Sequence, residues 1–406
     1  MDRLPDKLFN GSVNLRDLHM EFNFITAIPV GLFRSVSVER LSLANNRLTD
    51  IAEHAFGGLE TVLIVLDLSF NLFHQFPDAV RALTSLSVLY LRGNSLRFLE
   101  PSDIKSFRST LEVLDLSGNV FERVPSSALQ TTQRLSRLSL QDNRISSICM
   151  DDFKSWGNNL TTLSLANNGI KTLSQDTFAH LMKLRELKLS FNAIQFLDYH
   201  VFLPLRPTLE VLELSSALGQ RFFPLELIRH MKQVKWLQLD HNQMLNLTDS
   251  YLQGLPSLAH FDLEGNRIGY ITPGFFKERI HHRLNRVVLA HNQLTTIGSG
   301  TFKNLSRLVN VVLLGNKIQV IRQEAFKDLP RIHNVVLSRN QITAIETSAF
   351  SNLPALSNLM LQDNNLTSFK LDCFRNSGSS ALFINLSHNA LVSLQSQGIG
   401  RDEDVE

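Results

Sequence analysis

Cysteine is nearly missing from this chain, with two residues in 406, Cys149 and Cys373. That excludes a disulfide framework and a four-cysteine zinc site. No run approaches 18 apolar residues, so no segment reads as a membrane-spanning helix. The opening stretch, Met1 to Lys7, has no apolar run of signal-peptide type. A dominant charge is missing too: 40 Lys and Arg against 38 Asp and Glu leave +2, which excludes a chain built mainly to bind polyanions or nucleic acid. No glycine-rich phosphate loop or nucleophile elbow is found, so neither an enzyme nor a cofactor is expected. The adjacent pair His281 and His282 has no acid at ligand spacing and is expected in a solvated loop. Trp and Tyr are scarce, at two and four, while Phe numbers 27, so some element asks repeatedly for an aromatic ring without a polar handle.

What the chain has is a repeat. The pattern L-x-x-L-x-L-x-x-N fits at Leu15-Leu18-Met20-Asn23 and at Val38-Leu41-Leu43-Asn46, and it continues to Ala381-Ile384-Leu386-Asn389. Between Asn23 and Asn389 lie 366 residues and fifteen intervals, or about 24.4 residues per repeat. One register is degenerate, with Ala217 standing where Asn is due after Leu209, Leu212 and Leu214. The expected fold is therefore an α/β leucine-rich-repeat solenoid, a curved horseshoe or superhelical arc. It would carry a parallel β-sheet on the concave face, with short helical or irregular segments and a Phe spine on the convex side. Residues 1–394 read as a single array of about 16 repeats, with an irregular repeat near 209–233 and a polar tail at 395–406.

Each column has a physical task. The template Leu side chains point inward from a short strand, and the residues between them face the concave surface. The Asn column, including Asn143, Asn168, Asn192, Asn316 and Asn340, is expected to cap backbone groups of adjacent turns. Ten residues beyond each Asn lies an aromatic column that includes Phe178, Phe302, Phe326 and Phe350. Cys149 and Cys373 sit about nine repeats apart, roughly 45 Å of solenoid, and cannot bridge each other within the array. The repeat around Ala217 is the expected weak point, because it lacks the ladder amide.

The unit N-x-L-x-x-L-x-x-x-x-F-x-x-L resembles the typical class of animal extracellular leucine-rich repeats. The stretches His19 to Ile25, Leu111 to Asn119 and Leu209 to Ser216 are similar to the chaoptin family, photoreceptor-membrane adhesion proteins of arthropods. The resemblance implies cell adhesion through homophilic contacts, a parent anchored by lipid, and a place on the extracellular face of the plasma membrane. Both ends fall inside a repeat, so the chain reads as an internal segment of a longer protein. The other function class is the ligand-binding ectodomain of a signalling receptor similar to Toll-type receptors. In either class the expected partner is a protein, with another copy of the chain as one candidate, and no direct membrane insertion by this segment is expected.

Sequons stand at Asn10, Asn159, Asn246, Asn304, Asn365 and Asn385; the first five are candidate glycosylation sites, while Asn385 lies mid-strand. At the central strand position the column changes from polar residues to Val288, Val312, Val336 and Met360. Leu314 widens this row, and Asn310, Asn334 and Asn358 run beside it. The row is expected to be an exposed apolar contact site rimmed by amides. Six histidines, His19, His241, His260, His291, His333 and His388, fall on the same face, so binding there is expected to change between pH 7.5 and 5.5. Nine basic against fourteen acidic residues give that face −5, which leaves +7 for the flanks and back of a chain whose total is +2.

Overall fold

The computed structural model describes residues 4–5, 8–9, 15–218, 225–247, 252–377 and 381–395. Asn10, part of the irregular repeat near 209–233 and residues 396–406 of the expected tail lie outside the described residues. The chain divides into two compact units, Met1–Leu209 and Glu210–Glu406.

In the first unit eight three-residue strands run parallel: Asp17–His19, Arg40–Ser42, Val65–Asp67, Val88–Tyr90, Val113–Asp115, Arg137–Ser139, Thr162–Ser164 and Glu186–Lys188. They pair without slippage, for example Leu41 with Leu66 and Leu89 with Leu114. The strands are short because only the L-x-L segment alternates. A turn follows in which the residue before the ladder position takes a left-handed backbone, from Phe22 (φ 55°) and Asn45 (φ 55°) to Phe191 (φ 56°). The opposite side carries short helical turns, among them Asp78–Ala82, Pro101–Ile104, Ser126–Leu129 and Met150–Asp152.

The second unit has its own eight strands: Val211–Glu213, Trp236–Gln238, His260–Asp262, Arg286–Val288, Asn310–Val312, Asn334–Val336, Asn358–Met360 and Phe383–Asn385. Its back differs from the helical or irregular convex side expected from sequence. Thr296–Ile297, Val320–Ile321 and Ala344–Ile345 form a second parallel sheet, and Phe302–Lys303, Phe326–Lys327, Phe350–Leu353 and Phe374–Ser377 form a third. The cause is repeat length. Asn292, Asn316, Asn340 and Asn364 are each 24 residues apart, so corresponding backbone groups meet in register and pair. In the first unit the spacing varies from 23 to 25 residues, and among the described residues only Thr172–Leu173 and Phe196–Leu197, across a 24-residue interval, pair on the back.

The Phe column is core in both units. Phe178 is fully buried and stacks on Phe202 at 6.1 Å. Phe276, Phe302, Phe326, Phe350 and Phe374 form a continuous stack with centroid spacings of 5.4, 5.2, 5.3 and 5.5 Å. The Asn column joins each repeat to the one before it. Asn143 accepts from the Phe121 N–H and donates to the Leu116 carbonyl. Asn168 serves Ile145 and Leu140 in the same way, Asn192 serves Ile170 and Leu165, and Asn316 serves Leu294 and Leu289. At the degenerate repeat Ala217 fills the slot, fully buried, and its own N–H donates to Asn242 Oδ1 at 3.0 Å.

Candidate functional site

The second unit places the expected row together. Val288, Val312, Val336 and Met360 stand side by side in register on the open face of the strand sheet, followed by Asn385. Their exposure differs from expectation. Val312, Leu314, Val336 and Met360 are half-buried rather than exposed, and Val288 is only 3% exposed. Strands about 4.8 Å apart bring β-branched neighbours into contact, so each side chain covers the flanks of the next. Val288 is therefore removed from the contact surface, and the usable floor begins at Val312.

The amide rim is also more ordered than a row of solvated side chains. Asn334 Nδ2 donates to Asn310 Oδ1 at 2.5 Å, and Asn358 Nδ2 donates to Asn334 Oδ1 at 2.8 Å. The amides thus form a ladder along the sheet. Beside the floor lie two polar atoms without a hydrogen-bond partner, Ser338 Oγ and Gln362 Oε1. Elsewhere serines of this column find a side-chain acceptor: Ser117 donates to Asp115, Ser215 to Asp240 of the next repeat, and Ser387 to Asn385. For Ser338 the residue equivalent to Asp115 is Val336, which cannot accept, and the residue equivalent to Asp240 is Gln362, whose Oε1 is itself unpaired.

Sequence reasoning missed what bounds this surface. Towards the N-terminal side of the unit, Trp236 stacks on His260 with ring centroids 3.7 Å apart and planes 9° apart. Burial, and then the neighbouring Arg286, hold the His260 imidazole down at about 4. At the other end Phe383, beside Asn358, is 54% exposed. The available signal was composition: one of only two Trp residues falls at an outward strand position. Since His260 stays neutral from pH 7.5 to 5.5, it contributes nothing to a switch of face charge over that range.

His281 overturns the expectation of a solvated loop. It is 1% exposed and closes the helical turn Glu278–His281. Its Nδ1 accepts from the Lys277 N–H at 2.9 Å, which places the ring proton on Nε2, 3.1 Å from the Leu252 carbonyl. Burial pushes its pKa down; the Leu252 carbonyl opposes this, and Lys277 and His282 add to it. A folded pKa below the unfolded value near 6.5 means that stability is full above pH 6.5 and falls as pH drops towards the folded pKa. The second unit is expected to lose stability from pH 7.5 to 5.5, with a slope of at most about 1.4 kcal/mol per pH unit from His281. Urea midpoints at three pH values check this: His281→Gln should flatten the curve, and an unchanged slope would remove His281 as its cause.

The sequon residues are not equivalent. Asn159 is half-buried and tied at both ends of its amide, donating to the Gln133 carbonyl and accepting from Lys183 Nζ. Asn246 and Asn365 are exposed, and Asn304 is half-buried. Asn385 Oδ1 accepts from the Ser387 hydroxyl. Both cysteines are free, Cys149 exposed and Cys373 buried. Among the described residues no group of His, Cys, Asp and Glu could hold a metal ion, and no helix is long and apolar enough to cross a membrane.

Comparison with known proteins agrees with this architecture. A BspA-type leucine-rich-repeat region matches residues 269–393 in six copies, and the leucine-rich-repeat family matches residues 13–62, 36–96 and 158–218. The chain belongs to the leucine-rich-repeat proteins. No curated protein sequence matches it. Among solved structures it is similar to the Toll–Spatzle complex of Drosophila, at 20% identity and a TM-score of 0.72, over 97% of this chain and 60% of the matched chain. The chain therefore spans less than two thirds of that relative. It is also similar to a leucine-rich-repeat protein of Leptospira interrogans, at 26% identity and TM-score 0.65, over 79% of this chain and 77% of that one. A third likeness is the plant peptide hormone receptor RGFR1 in complex with RGF2, at 19% identity and TM-score 0.56, over 94% of this chain and 69% of that one.

Proposed function

We propose that the chain is a non-enzymatic protein-binding module of a membrane-anchored cell-surface protein, working in adhesion through contacts between copies. The observation that carries the reading is the half-buried apolar floor Val312, Leu314, Val336 and Met360, bordered by the Asn310–Asn334–Asn358 ladder. Such a surface suits a partner that covers the floor and supplies polar groups to its edge. The similar Toll structure is a complex with Spatzle and the similar plant receptor is a peptide hormone receptor in complex with RGF2, which supports a protein partner. The chaoptin-like stretches support adhesion. The acidic sheet face and basic remainder favour offset contacts between copies over face-to-face pairing. Exposed Asn246 and Asn365 are the sites proposed for glycans on the parent protein.

Changing Val312 and Val336 together to Asp is expected to weaken association by more than about 2 kcal/mol while the fold survives, since both side chains reach solvent. Aggregation of beads displaying the chain reads the effect, with circular dichroism as the folding control. A folded double variant that aggregates like the parent would reject this surface. The second reading is a segment of a signalling-receptor ectodomain, favoured by the match to the Toll complex over 97% of this chain. Beads that aggregate only when a different protein is on the facing bead would replace the homophilic reading with that one.

A further inference from the structure

A second surface lies in the first unit, on the edge into which the strands lead at their C-terminal ends. A groove of about 450 Å³ is lined there by residues of three successive repeats, and its charges are Arg97, Arg123 and Arg144 against the single acid Glu122. Arg97, Arg123 and Arg144 stand three, four and one positions past their ladder residues Asn94, Asn119 and Asn143, so each of three successive repeats brings one guanidinium to this groove. All three are exposed, and among the described residues none of the three guanidiniums has a hydrogen-bond or ion-pair partner. By contrast, Arg81 at the back of the same unit pairs with both Asp78 and Asp103. Phe98, 60% exposed, stands at the groove with a free ring face, and the floor is made by buried Leu99, Phe121 and Val124.

We infer that this groove binds a linear sulfated polysaccharide. Guanidinium forks match the oxygens of sulfate, and free ones have no internal bond to give up. The row spans two repeat spacings, about 10 Å, which is too long for one phosphate or sulfate to reach all three. A chain bearing an anion on each successive unit meets them in turn. The ring of Phe98 offers an apolar face to the C–H surface of a sugar, and the dry floor excludes water beneath it. The row extends at one end to exposed Lys171, three positions past Asn168 as Arg97 is past Asn94, in the repeat that follows. The total charge of +2 conceals this edge, because the sheet face carries the compensating acids.

The test uses the full chain and heparin oligosaccharide, with unsulfated hyaluronan and a phosphotyrosine peptide as comparison probes. Heparin is expected to bind, more weakly as salt rises, and hyaluronan is not. The triple change Arg97→Gln, Arg123→Gln and Arg144→Gln should lower heparin affinity roughly thirty-fold and leave the melting temperature unchanged, since three exposed contacts are lost and no internal bond is broken. A control triple in the second unit, Arg279→Gln, Arg283→Gln and Arg307→Gln, removes the same charge and should change affinity less than about three-fold. Equal losses in the two triples, equal binding of hyaluronan, or tighter binding of the phosphotyrosine peptide than of heparin would each overturn the proposal.

Discussion

Truncating Phe302 to alanine is expected to destabilise the second unit by roughly 3–5 kcal/mol. The ring is fully buried and has rings on both sides, Phe276 at 5.4 Å and Phe326 at 5.2 Å, tilted by 21° and 9°. Its backbone pairs with that of Phe326, so the flanks of the cavity are fixed by hydrogen bonds and cannot collapse into it. A solenoid repeat is held only by its neighbours, so the damage should stay local. The two tryptophans make this measurable, with Trp156 in the first unit and Trp236 in the second. Urea unfolding followed by Trp236 fluorescence in a Trp156→Phe background should shift by the full amount. The signal of Trp156, read with Trp236→Phe, should move little. Phe374→Ala, at the half-buried end of the stack, should cost less than Phe302→Ala. A loss below about 1 kcal/mol at Phe302 would mean that the column is not core.

The columns most readable in the sequence are those with one physical task. Ladder Asn needs an acceptor and donors on one short side chain, and neither Ser nor Gln reaches the same set, so the residue recurs and can be counted. The Phe column recurs because a ring fills the back without a buried hydroxyl. The left-handed turn before each ladder position went unread, although all sixteen repeats have it. Gly fills it four times; elsewhere Asn, Asp, His, Ser, Arg and even Phe22, Phe70 and Phe191 are held there by the turn. Tertiary constraint outweighs the roughly 1–2 kcal/mol a bulky residue loses in that region, so composition gives no signal.

The back sheets of the second unit were hidden for a different reason. Thr296–Ile297 and Val320–Ile321 are only two residues long, too short for alternation to show; their pairing depends on equal repeat lengths, not on local propensity. The candidate surface was legible as a row, because register is set by the same arithmetic. Its depth was not. Val288 is as apolar as Val312, but it lies between Asp262 and Val312, with Ala290 buried two residues on, and sequence gives no measure of mutual cover. His281 likewise reads as polar until its two hydrogen bonds, to Lys277 and Leu252, are seen.

Removing one rung of the ladder is expected to cost nearly as much as removing a ring. Asn340 Oδ1 accepts from the Ile318 N–H at 3.1 Å, and its Nδ2 donates to the Leu313 and Leu337 carbonyls at 2.9 and 3.0 Å. Asn340→Ala leaves that buried N–H and both carbonyls without this partner, and the side chain is too deep for bulk water to replace it. At 1–3 kcal/mol for a buried group left unsatisfied, with partial relaxation, the expected loss is about 3 kcal/mol. Asn340→Asp separates hydrogen bonding from packing. Its carboxylate keeps the acceptor for Ile318 but turns a negative oxygen towards two carbonyls, so its folded pKa should rise above the usual Asp value. A raised folded pKa means that the deficit is full at pH 7 and shrinks as pH falls through the folded pKa, when the protonated acid again donates. Urea midpoints at pH 7 and pH 5 for Asn340→Ala and Asn340→Asp decide the matter: the alanine variant should keep its deficit relative to the parent, and the aspartate variant should recover part of its own. If both deficits were independent of pH, the ladder would hold the repeats by shape and not by its amide donors.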